Sequence, residues 1–539
     1  MAETLETQAH DVIARSPLRQ FHLTRRQALG AAVGAAGAMT IGATANPLAA
    51  LAQDDAAPVS GGTLIYGLST DPPNLDLRVG SGYAAATVKQ QVYNSLIRIN
   101  ENFEFLPELA LSWETSEDRL TVTFTLRPDV LWHDGSPFTA EDVKFTFDNL
   151  MAEESTASVK SELFTIDSVE VVDDLTVAFH LNQPDAMLFA VLQDSTAMIF
   201  SKAVFESGAD LSTTLIGTGP FTYVGRETGV SITLEKNPDF WEPAYLDGIT
   251  FQPIPDDTAR VSALQSGQVN LIDYVPQIAQ TDFENSDSHK LYADVVFTHM
   301  YLLMNQGTEA LANPTVRQAI SYAVDRDAIL QAVFYGRGKT LTGGVIPENI
   351  GGTTELDGYY TRDVEKAKMM LAEAGYPDGL DLGLTVTSTY GFHQRTAEVV
   401  QATLAEANIR CTLELLEWAT LLERFNNGPY DLMVQGGGFP YPHPAAIGSF
   451  VASKNVVVKA SGYVDPEMDA LVEEVRQAPD DETAELAYEI DQRILEQLPR
   501  AFLVGRSQAE ASTANVNGYT HIPGGSYSGL NLRVTWLEG

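Results

Sequence analysis

Short apolar runs alternate along this chain with segments whose apolar residues recur at helical spacing. Residues 62–68 and 301–305 have the composition of buried strands, and each precedes a polar loop. The segment from Pro314 places Val316 and Ile320 on one helical face, with proline at the first helical position, where it is tolerated. This mixture predicts α/β sheets with helices on both faces. Since 539 residues are too many for one compact core, we expect about three domains or fewer larger ones.

Local signals give the bounds of several further elements. Thr139, followed three residues later by Asp142, resembles a capping box and predicts a helix start. Apolar periodicity predicts a helix over residues 84–97, and short apolar runs predict strands at 271–273 and 501–504.

One loop is a candidate lip of a ligand cleft. A strand-like apolar run ends at Gly436, Gly437 and Gly438, and glycines permit positive φ and let other groups approach the backbone. Phe439 and Tyr441 follow and offer flat apolar faces, in a loop that prolines stiffen. In open α/β sheets, ligands bind beyond the carboxyl ends of the strands. An ordinary exit from a strand is the alternative interpretation.

The charge balance and the cysteine content narrow the function. A net charge of −39 argues against nucleic-acid binding through a basic face. Cys411 is the single cysteine, so there is no disulfide framework and no N-terminal cysteine to carry a lipid. It lies in an alternating segment and is expected to point inward as a small hydrophobe. No long apolar run follows the N-terminal segment, which favours a mature protein that does not span a membrane.

The N-terminus has the features of an export signal. Arg25 and Arg26 precede a weakly apolar stretch, rich in glycine and alanine, over residues 28–45. A small-residue site then places cleavage near Ala52–Gln53. This order is typical of a twin-arginine signal, which directs a folded protein to the twin-arginine export machinery. Residues 1–52 are therefore predicted to be a signal peptide, and the mature protein to be periplasmic.

The sequence lacks the familiar motifs of enzymes and metal sites. His133 and Asp134 are adjacent and so point different ways, which suits a turn better than an acid–base dyad. The nine histidines show no zinc spacing, and no nucleophile elbow occurs. His443 is favoured as a loop or cleft-wall residue over a metal ligand. We expect no catalysis, metal or cofactor, although carboxylate pairs set only by the fold leave a glycosidase site open.

Several motifs form an ordered set along the chain. They are residues 124–143, 217–221, 237–241, 245–247, 259–267, 316–320, 323–326 and 367–377. Each motif alone has modest specificity. The first reads FTLRPDVLWHDGSPFTAEDV, and the set covers nearly all of the mature chain. Together they resemble extracellular solute-binding protein family 5, which comprises the dipeptide-, oligopeptide- and nickel-binding proteins of ABC importers.

The resemblance implies an α/β, two-lobed periplasmic-binding-protein fold of type II, in its large three-region form, with a hinge and a central ligand cleft. Lobe I is expected over residues 53–300, with an inserted subdomain at about 100–215. Lobe II is expected over residues 301–504, and residues 505–539 return to lobe I.

The same resemblance implies the substrate-binding component of an ABC importer. Hinge closure around a ligand is an established domain movement, and the ligand stabilises the closed form only by its differential affinity for it. The closed form would dock on the membrane permease and release a peptide or peptide-like solute. We expect a monomer that binds no nucleic acid.

The resemblance also implies which residues contact the ligand. Arg395 matches the arginine that pairs with the peptide carboxylate in dipeptide-binding relatives, and a guanidinium fork suits that group. A solvated arginine at a helix start is the alternative. Ser69, Thr70 and Asp71 leave the first strand where relatives offer hydrogen bonds to an extended ligand. Trp418 matches a tryptophan of relatives, with a core role as the alternative.

The candidate lip, residues 436–444, departs from the dipeptide-binding pattern. Relatives carry a tryptophan and an aspartate that grips the peptide amino group; this lip has neither, although Phe439, Tyr441 and His443 can line a cleft. A free α-amino group is then bound from elsewhere, with Asp71 as the candidate, or is not part of the ligand. Sugars, opines, metal chelates and modified peptides stay open as solutes. A chemosensory ligand presenter and an extracellular hydrolase stay open as functions.

Overall fold

The computed structural model describes residues 57–80, 82–427, 429–439, 441–479, 481–523 and 527–539. The predicted signal peptide lies outside these ranges. Within them, no helix is both long enough and apolar enough to cross a lipid bilayer.

Strands and helices alternate along the described ranges. The strands are β1 Thr63–Leu68, β2 Ile97–Ile99, β3 Phe105–Pro107, β4 Ala110–Thr115, β5 Thr121–Leu126, β6 Ile166–Asp173, β7 Thr176–Leu181, β8 Phe221–Glu227, β9 Ser231–Lys236, β10 Gly248–Pro253, β11 Leu271–Ile272, β12 His289–Met304, β13 Gly338–Thr340, β14 Leu380–Thr387, β15 Ile409–Leu416, β16 Leu432–Gly438, β17 Arg500–Thr513, β18 Val516–Asn517 and β19 Trp536–Leu537. The helices are α1 Tyr83–Val92, α2 Ala140–Met151, α3 Leu188–Leu192, α4 Lys202–Glu206, α5 Asp257–Gln265, α6 Gln277–Glu284, α7 Glu309–Ala312, α8 Pro314–Ala323, α9 Arg326–Phe334, α10 Val364–Glu373, α11 Gly391–Ala405, α12 Trp418–Asn427, α13 Gly448–Val451, α14 Val456–Ala460, α15 Pro466–Gln477 and α16 Thr483–Gln497.

One mixed sheet runs through most of the molecule. Its strands are hydrogen-bonded in the order β15-β14-β16-β12-β17-β11-β1-β10-β9-β8, and β13 pairs with β17 beside that path. β1 pairs in parallel with β10 and β11, and β14 pairs in parallel with β15 and β16. These two parallel groups are the centres of two lobes, lobe I around β1 and lobe II around β14.

Two long antiparallel strands join the lobes. β12 pairs with β17 over nearly its whole length. β17 also pairs with β11 in lobe I, and β12 also pairs with β16 in lobe II. The register between β12 and β17 shifts between Val295 and Thr298, where the strands pass from one lobe to the other. A bulge of this kind bends a strand locally.

The short strands predicted at 301–305 and 501–504 are wrong in extent. β12 has 16 residues and β17 has 14. Thr298, His299 and Arg506 interrupt the apolar pattern, yet the sheet buries all three side chains. Strand pairing in the folded protein places these polar residues inside, and periodicity alone does not reveal it.

A separate antiparallel sheet, in the order β4-β5-β7-β6, lies in the segment predicted to be inserted into lobe I. Helix α2 packs on β6 and begins with the predicted capping box between Thr139 and Asp142. Trp132, from the first sequence motif, donates its ring N–H to Asp142 at 3.4 Å. The inserted sheet is therefore built around motif residues, and the lobe boundaries stay predictions.

The helix predicted over residues 84–97 is wrong at its C-terminal end, because α1 stops at Val92. The loop that contains Gly217 and Gly219 packs on its last turn, where the N–H of Gly219 donates to the Val92 carbonyl at 2.9 Å. A Cβ on Gly217 would lie 1.8 Å from the same oxygen, so only glycine fits there. The chain is extended at Tyr93 and goes on to β2.

Replacing Gly217 with alanine is expected to destabilise the protein by about 3 kcal/mol, because backbone must move to admit the methyl group. Gly225 is the matched control, since a Cβ there meets nothing within 4 Å. Gly225→Ala should change the unfolding free energy by less than about 0.5 kcal/mol. Urea unfolding of both variants measures the difference, and equal stabilities would contradict the close packing on α1.

Lobe II buries a carboxyl group that backbone donors hold. Asp491, on α16, is fully buried and accepts hydrogen bonds from the N–H groups of Val345 and Ile346, at 2.9 and 3.4 Å. Burial raises the pKa of Asp491 to about 7, although both backbone donors oppose the shift. The folded protein therefore keeps this proton at pH values where the unfolded chain releases it.

Asp491 should make the stability of the wild-type protein depend on pH. Between about pH 4 and pH 7 the unfolded state binds fewer protons than the folded state, so the unfolding free energy falls as pH rises. Relative to Asp491→Asn, wild type should lose up to about 4 kcal/mol across this window and nothing further above it. Urea titrations of both proteins from pH 4 to pH 8 check the effect. A stability difference that is independent of pH would show that Asp491 titrates normally.

Candidate functional site

The carboxyl ends of several strands meet where the two lobes face each other. β14, β15 and β16 run parallel, so their carboxyl ends share one edge of lobe II. The segments that leave this edge carry Tyr390, Trp418 and Phe439. On lobe I, β1 and β11 run parallel and end just before Ser69 and Asp273. The site is therefore built from segments of both lobes beside β12 and β17.

Ser69 is held by a buried carboxyl group. Its N–H and its hydroxyl donate to the two oxygens of Asp273, at 2.7 and 3.0 Å. Burial raises the pKa of Asp273 to about 7, although the guanidinium of Arg260, 3.6 Å away, opposes the shift. The N–H and hydroxyl of this predicted ligand contact are thus already bonded inside lobe I.

Asp71 is also engaged inside lobe I. One carboxylate oxygen accepts from Nη2 of Arg226 at 2.7 Å, and the other accepts from the N–H of Gly229 at 2.8 Å. Thr70 lies half-buried between Ser69 and Asp71. Since the Asp71 carboxylate already pairs with a protein arginine, an ammonium group of a solute would have to compete with Arg226.

Arg395 is exposed on α11 and lines an open cleft of about 380 Å³, whose other wall is formed by residues of α5 and α6 in lobe I. The predicted carboxylate anchor therefore lies between the lobes. A different residue of α11 approaches the glycines of the lip, because a Cβ on Gly436 would lie 3.1 Å from Nε2 of His393. Arg395 therefore lies in the cleft beside α5 and α6, whereas His393 lies against the lip.

Tyr390, between β14 and α11, is a residue of this site that the sequence did not point to. Trp418 packs edge-on against its ring, with the ring centroids 5.5 Å apart. Burial, and then the negative charge of Asp273, raise the pKa of Tyr390. Tyr274 of lobe I lies beside Arg506 of β17. Tyr274 and Tyr390 each lie a few residues after a strand, and this position is the signal in the sequence that could have identified them.

The three glycines of the lip lie inside a strand and not beyond it. Gly436, Gly437 and Gly438 are the last residues of β16, pair with β12, and keep φ values outside the left-handed region. The glycines therefore do not use the positive φ that glycine permits. The expected close approach is confirmed, since a Cβ on Gly437 would lie 3.2 Å from the ring of Phe450.

The aromatic residues of the lip are buried among other side chains. Phe439 and Tyr441 are only 8% and 6% exposed, and the ring of Phe439 lies 5.7 Å from that of His299. His443 caps the short helical turn that follows, where its Nδ1 accepts the N–H of Ala445 at 3.2 Å. The ring of Phe439 therefore packs within lobe II, whereas Tyr441 lies near Asp194 and Glu162 of the other lobe.

A buried ion pair connects lobe II with the inserted sheet. Arg476 of α15 donates to Asp185 and Glu162, at 2.8 and 3.0 Å. The ring of Phe164 lies 4.6 Å from the same guanidinium. Arg119, beside β5, donates to the last carbonyl of α15 at 2.9 Å. These contacts hold α15 against the inserted segment.

The described residues offer little for metal or thiol chemistry. Within the described ranges, no group of three or more His, Cys, Asp or Glu side chains could hold a metal ion. Cys411 is half-buried, and burial raises the pKa of its thiol to about 12, so the reactive thiolate is scarce at neutral pH.

Comparison with known proteins gives consistent matches over most of the chain. Residues 104–456 match the model of bacterial extracellular solute-binding proteins, family 5, middle region. Oligopeptide-binding protein AppA of Bacillus subtilis is 29% identical over 89% of this chain and 92% of its own. The dipeptide-binding protein of Escherichia coli is 29% identical over 90% of this chain and 97% of its own. The structure of the binding protein AgaA from A. tumefaciens R10, in complex with agropinic acid, has a TM-score of 0.81 and 32% identity, and covers 89% of this chain and 99% of AgaA.

Two α/β lobes joined by paired strands, with a site between them, define a solute-binding protein of the type II periplasmic class, and this fold class was predicted. The chain belongs to family 5 of the bacterial extracellular solute-binding proteins, so the predicted family is confirmed. Members of this family are solute-binding proteins and act outside the cytoplasm.

The pair between Arg476 and Asp185 should be energetically coupled, because each leaves a buried charge behind when the other is removed. In a double-mutant cycle of Arg476→Met and Asp185→Asn, we expect a coupling energy of about 3 kcal/mol from urea unfolding. The more exposed pair of Lys454 and half-buried Glu473, 3.2 Å apart, is the control and should give less than about 1 kcal/mol. Additive effects of the two buried substitutions would contradict the expectation.

Proposed function

We propose that this protein binds a peptide or peptide-like solute between its lobes and delivers it to the membrane permease of an ABC importer. The observation that carries the proposal is the meeting of segments from both lobes beside β12 and β17, where Arg395 of lobe II and helices α5 and α6 of lobe I line one cleft. The oligopeptide- and dipeptide-binding relatives support a ligand of this class.

In the proposed cycle, the lobes close around the solute by bending at the register shift between Val295 and Thr298. Among the described residues, β12 and β17 are the strands that cross there, so a small change of backbone angle moves one lobe against the other. A solute that contacts both lobes stabilises the closed form by its extra affinity for that form. The contacts of Arg476 with the inserted sheet would favour the same closed form.

A peptide-like solute without a free amino group is the second candidate ligand. Asp71 already pairs with Arg226, and the lip contains no carboxylate that could hold an ammonium group. An N-blocked peptide or an opine has a carboxylate and lacks a simple α-ammonium group. The AgaA complex with agropinic acid is consistent with such a solute.

Export completes the proposal. Residues 1–52 act as a twin-arginine signal, cleavage occurs near Ala52–Gln53, and the mature protein works as a monomer in the periplasm. The acidic mature chain has no nucleic-acid partner. Presentation of the solute to a chemosensory receptor is compatible with the same closed form.

The proposal can be tested by recovering the natural solute. The exported protein is purified, unfolded in acid, and the released small molecules are identified by mass spectrometry. Recovery of intact peptides, N-blocked peptides or opines supports the proposal, and adding them back should raise the melting temperature by mass action. Recovery of a sugar or a metal chelate that restores this shift, or turnover of the recovered solute, would contradict it.

Arg395 is the proposed anchor of the solute carboxylate. Arg395→Ala should weaken binding of the recovered solute by about 10- to 100-fold in calorimetry, because a charge-assisted hydrogen bond is lost. Arg410 is the matched control, since it is exposed in the same lobe and pairs with Asp381 at 2.6 Å. Arg410→Ala should bind normally, and equal affinities of the two variants would exclude Arg395 as the anchor.

A further inference from the structure

Lobe II encloses an arginine that pairs with no carboxylate among the described residues. Arg500, the first residue of β17, is 1% exposed, and its Nε and Nη1 atoms have no hydrogen-bond partner. Its guanidinium lies over the rings of Tyr301 and Phe450, at 4.7 and 5.4 Å from their centroids. Burial lowers the pKa of Arg500, and the groups that oppose this shift are the hydroxyls of Tyr301 and Tyr430.

The positive charge of Arg500 therefore lacks a counter-charge within the described part of the chain. Arginine stays protonated in proteins, so the group cannot avoid the cost of burial by losing its proton. A buried charge without a partner costs several kcal/mol, and buried charges are normally paired. Contact with aromatic faces recovers about 2 kcal/mol at best for each ring.

Another buried arginine of lobe II, Arg317, shows the contacts of an arginine that only supports the fold. Arg317 donates to the backbone carbonyls of Leu311, Ala312, Gln497 and Leu498, at 2.6 to 3.2 Å. The carbonyl oxygens satisfy every nitrogen of that guanidinium. Arg500 has no comparable set of acceptors, so its burial is not explained by bracing the fold.

The groups around Arg500 are also unpaired and can donate hydrogen bonds. Tyr430 is buried, and its hydroxyl has no partner. His299 is 1% exposed, and neither ring nitrogen has a partner. Burial, and then the positive charges of Arg500 and Arg506, lower the pKa of His299 to about 3, so the ring is neutral and offers one N–H.

The cluster lies along β12 and β17, on the lobe II side of their register shift. His299 is next to Thr298, where the register of β12 and β17 shifts, and Tyr301 follows it on β12. Phe502 of β17 packs against both rings, at 5.1 and 6.1 Å between centroids. This row of side chains runs from the hinge end of lobe II to Arg500 and consists of aromatic faces and unpaired donors.

We propose that Arg500, Tyr430 and His299 form an anion site that binds a carboxylate of the solute inside lobe II. The aromatic rings of Tyr301, Phe450 and Phe502 would flank the adjoining part of the solute. The ligand class is an organic acid with a flat or apolar group next to its carboxylate. This inference rests on the proposed function and adds a second carboxylate site to that of Arg395, deeper in lobe II.

Stability of the solute-free protein gives the first test. The protein is freed of co-purified solutes by unfolding and refolding, and melting temperatures are compared. Arg500→Met should melt at or above the wild-type temperature, because an apolar side chain of similar length replaces an unpaired buried charge. Arg317→Met, the control, should melt well below it. A large loss of stability in Arg500→Met would show a structural role and overturn the proposal.

Selectivity for a carboxylate gives the second test. N-acetylphenylalanine and its amide are titrated into solute-free wild type, Arg500→Met and Arg317→Met, with Kd measured by calorimetry. Wild type and Arg317→Met should prefer the acid, and Arg500→Met should bind the acid at least about 30-fold more weakly than wild type. Equal responses of wild type to acid and amide, including no response to either, overturn the proposal, as does unchanged binding in Arg500→Met.

The two proposals fail in different ways. If the solute recovered from wild type binds equally well to Arg500→Met, the solute-binding function stands and the Arg500 site is excluded. If the recovered molecules do not rebind to wild type, the proposed function itself fails.

Discussion

The pairing of β12 with β17 is the interaction on which the rest of the structure depends. These strands belong to the sheets of both lobes, and they carry the chain out of lobe I and back into it. Each half of the pair is anchored by a different neighbour, β11 in lobe I and β16 in lobe II. The lobes are thus stiff in themselves and joined by two strands, whose register shifts between Val295 and Thr298 at the crossover and again between Met300 and Tyr301 within lobe II.

The polar groups of the site follow from that arrangement. Residues beside the hinge are buried in the sheet and also lie next to the proposed solute site. Polar side chains at this place are therefore buried. On the lobe I side they satisfy one another, as Ser69 does with Asp273 and Asp71 with Arg226. In lobe II, His299 beside the hinge and Arg500 deeper in the lobe keep unpaired atoms. We infer from this difference that lobe II recognises most of the charged groups of the solute, whereas lobe I contributes mainly a rigid backbone.

The sequence was sufficient for the family, the two-lobed α/β architecture and several helix starts, such as the capping box at Thr139. Those features depend on local composition and on motifs close together in the chain. It was insufficient for the lengths of β12 and β17, because His299 and Arg506 look like surface residues until strand pairing buries them. It also misjudged the glycines of the lip, whose small size matters because Phe450 and His393 come from distant segments.

Small-angle X-ray scattering tests most directly whether the lobes close on a solute. The radius of gyration of the solute-free protein is compared with that of the protein saturated with the solute recovered from it. We predict a smaller radius of gyration in the saturated protein, with no change in molecular mass. A radius that stays the same while calorimetry shows full binding would contradict closure about the β12–β17 hinge.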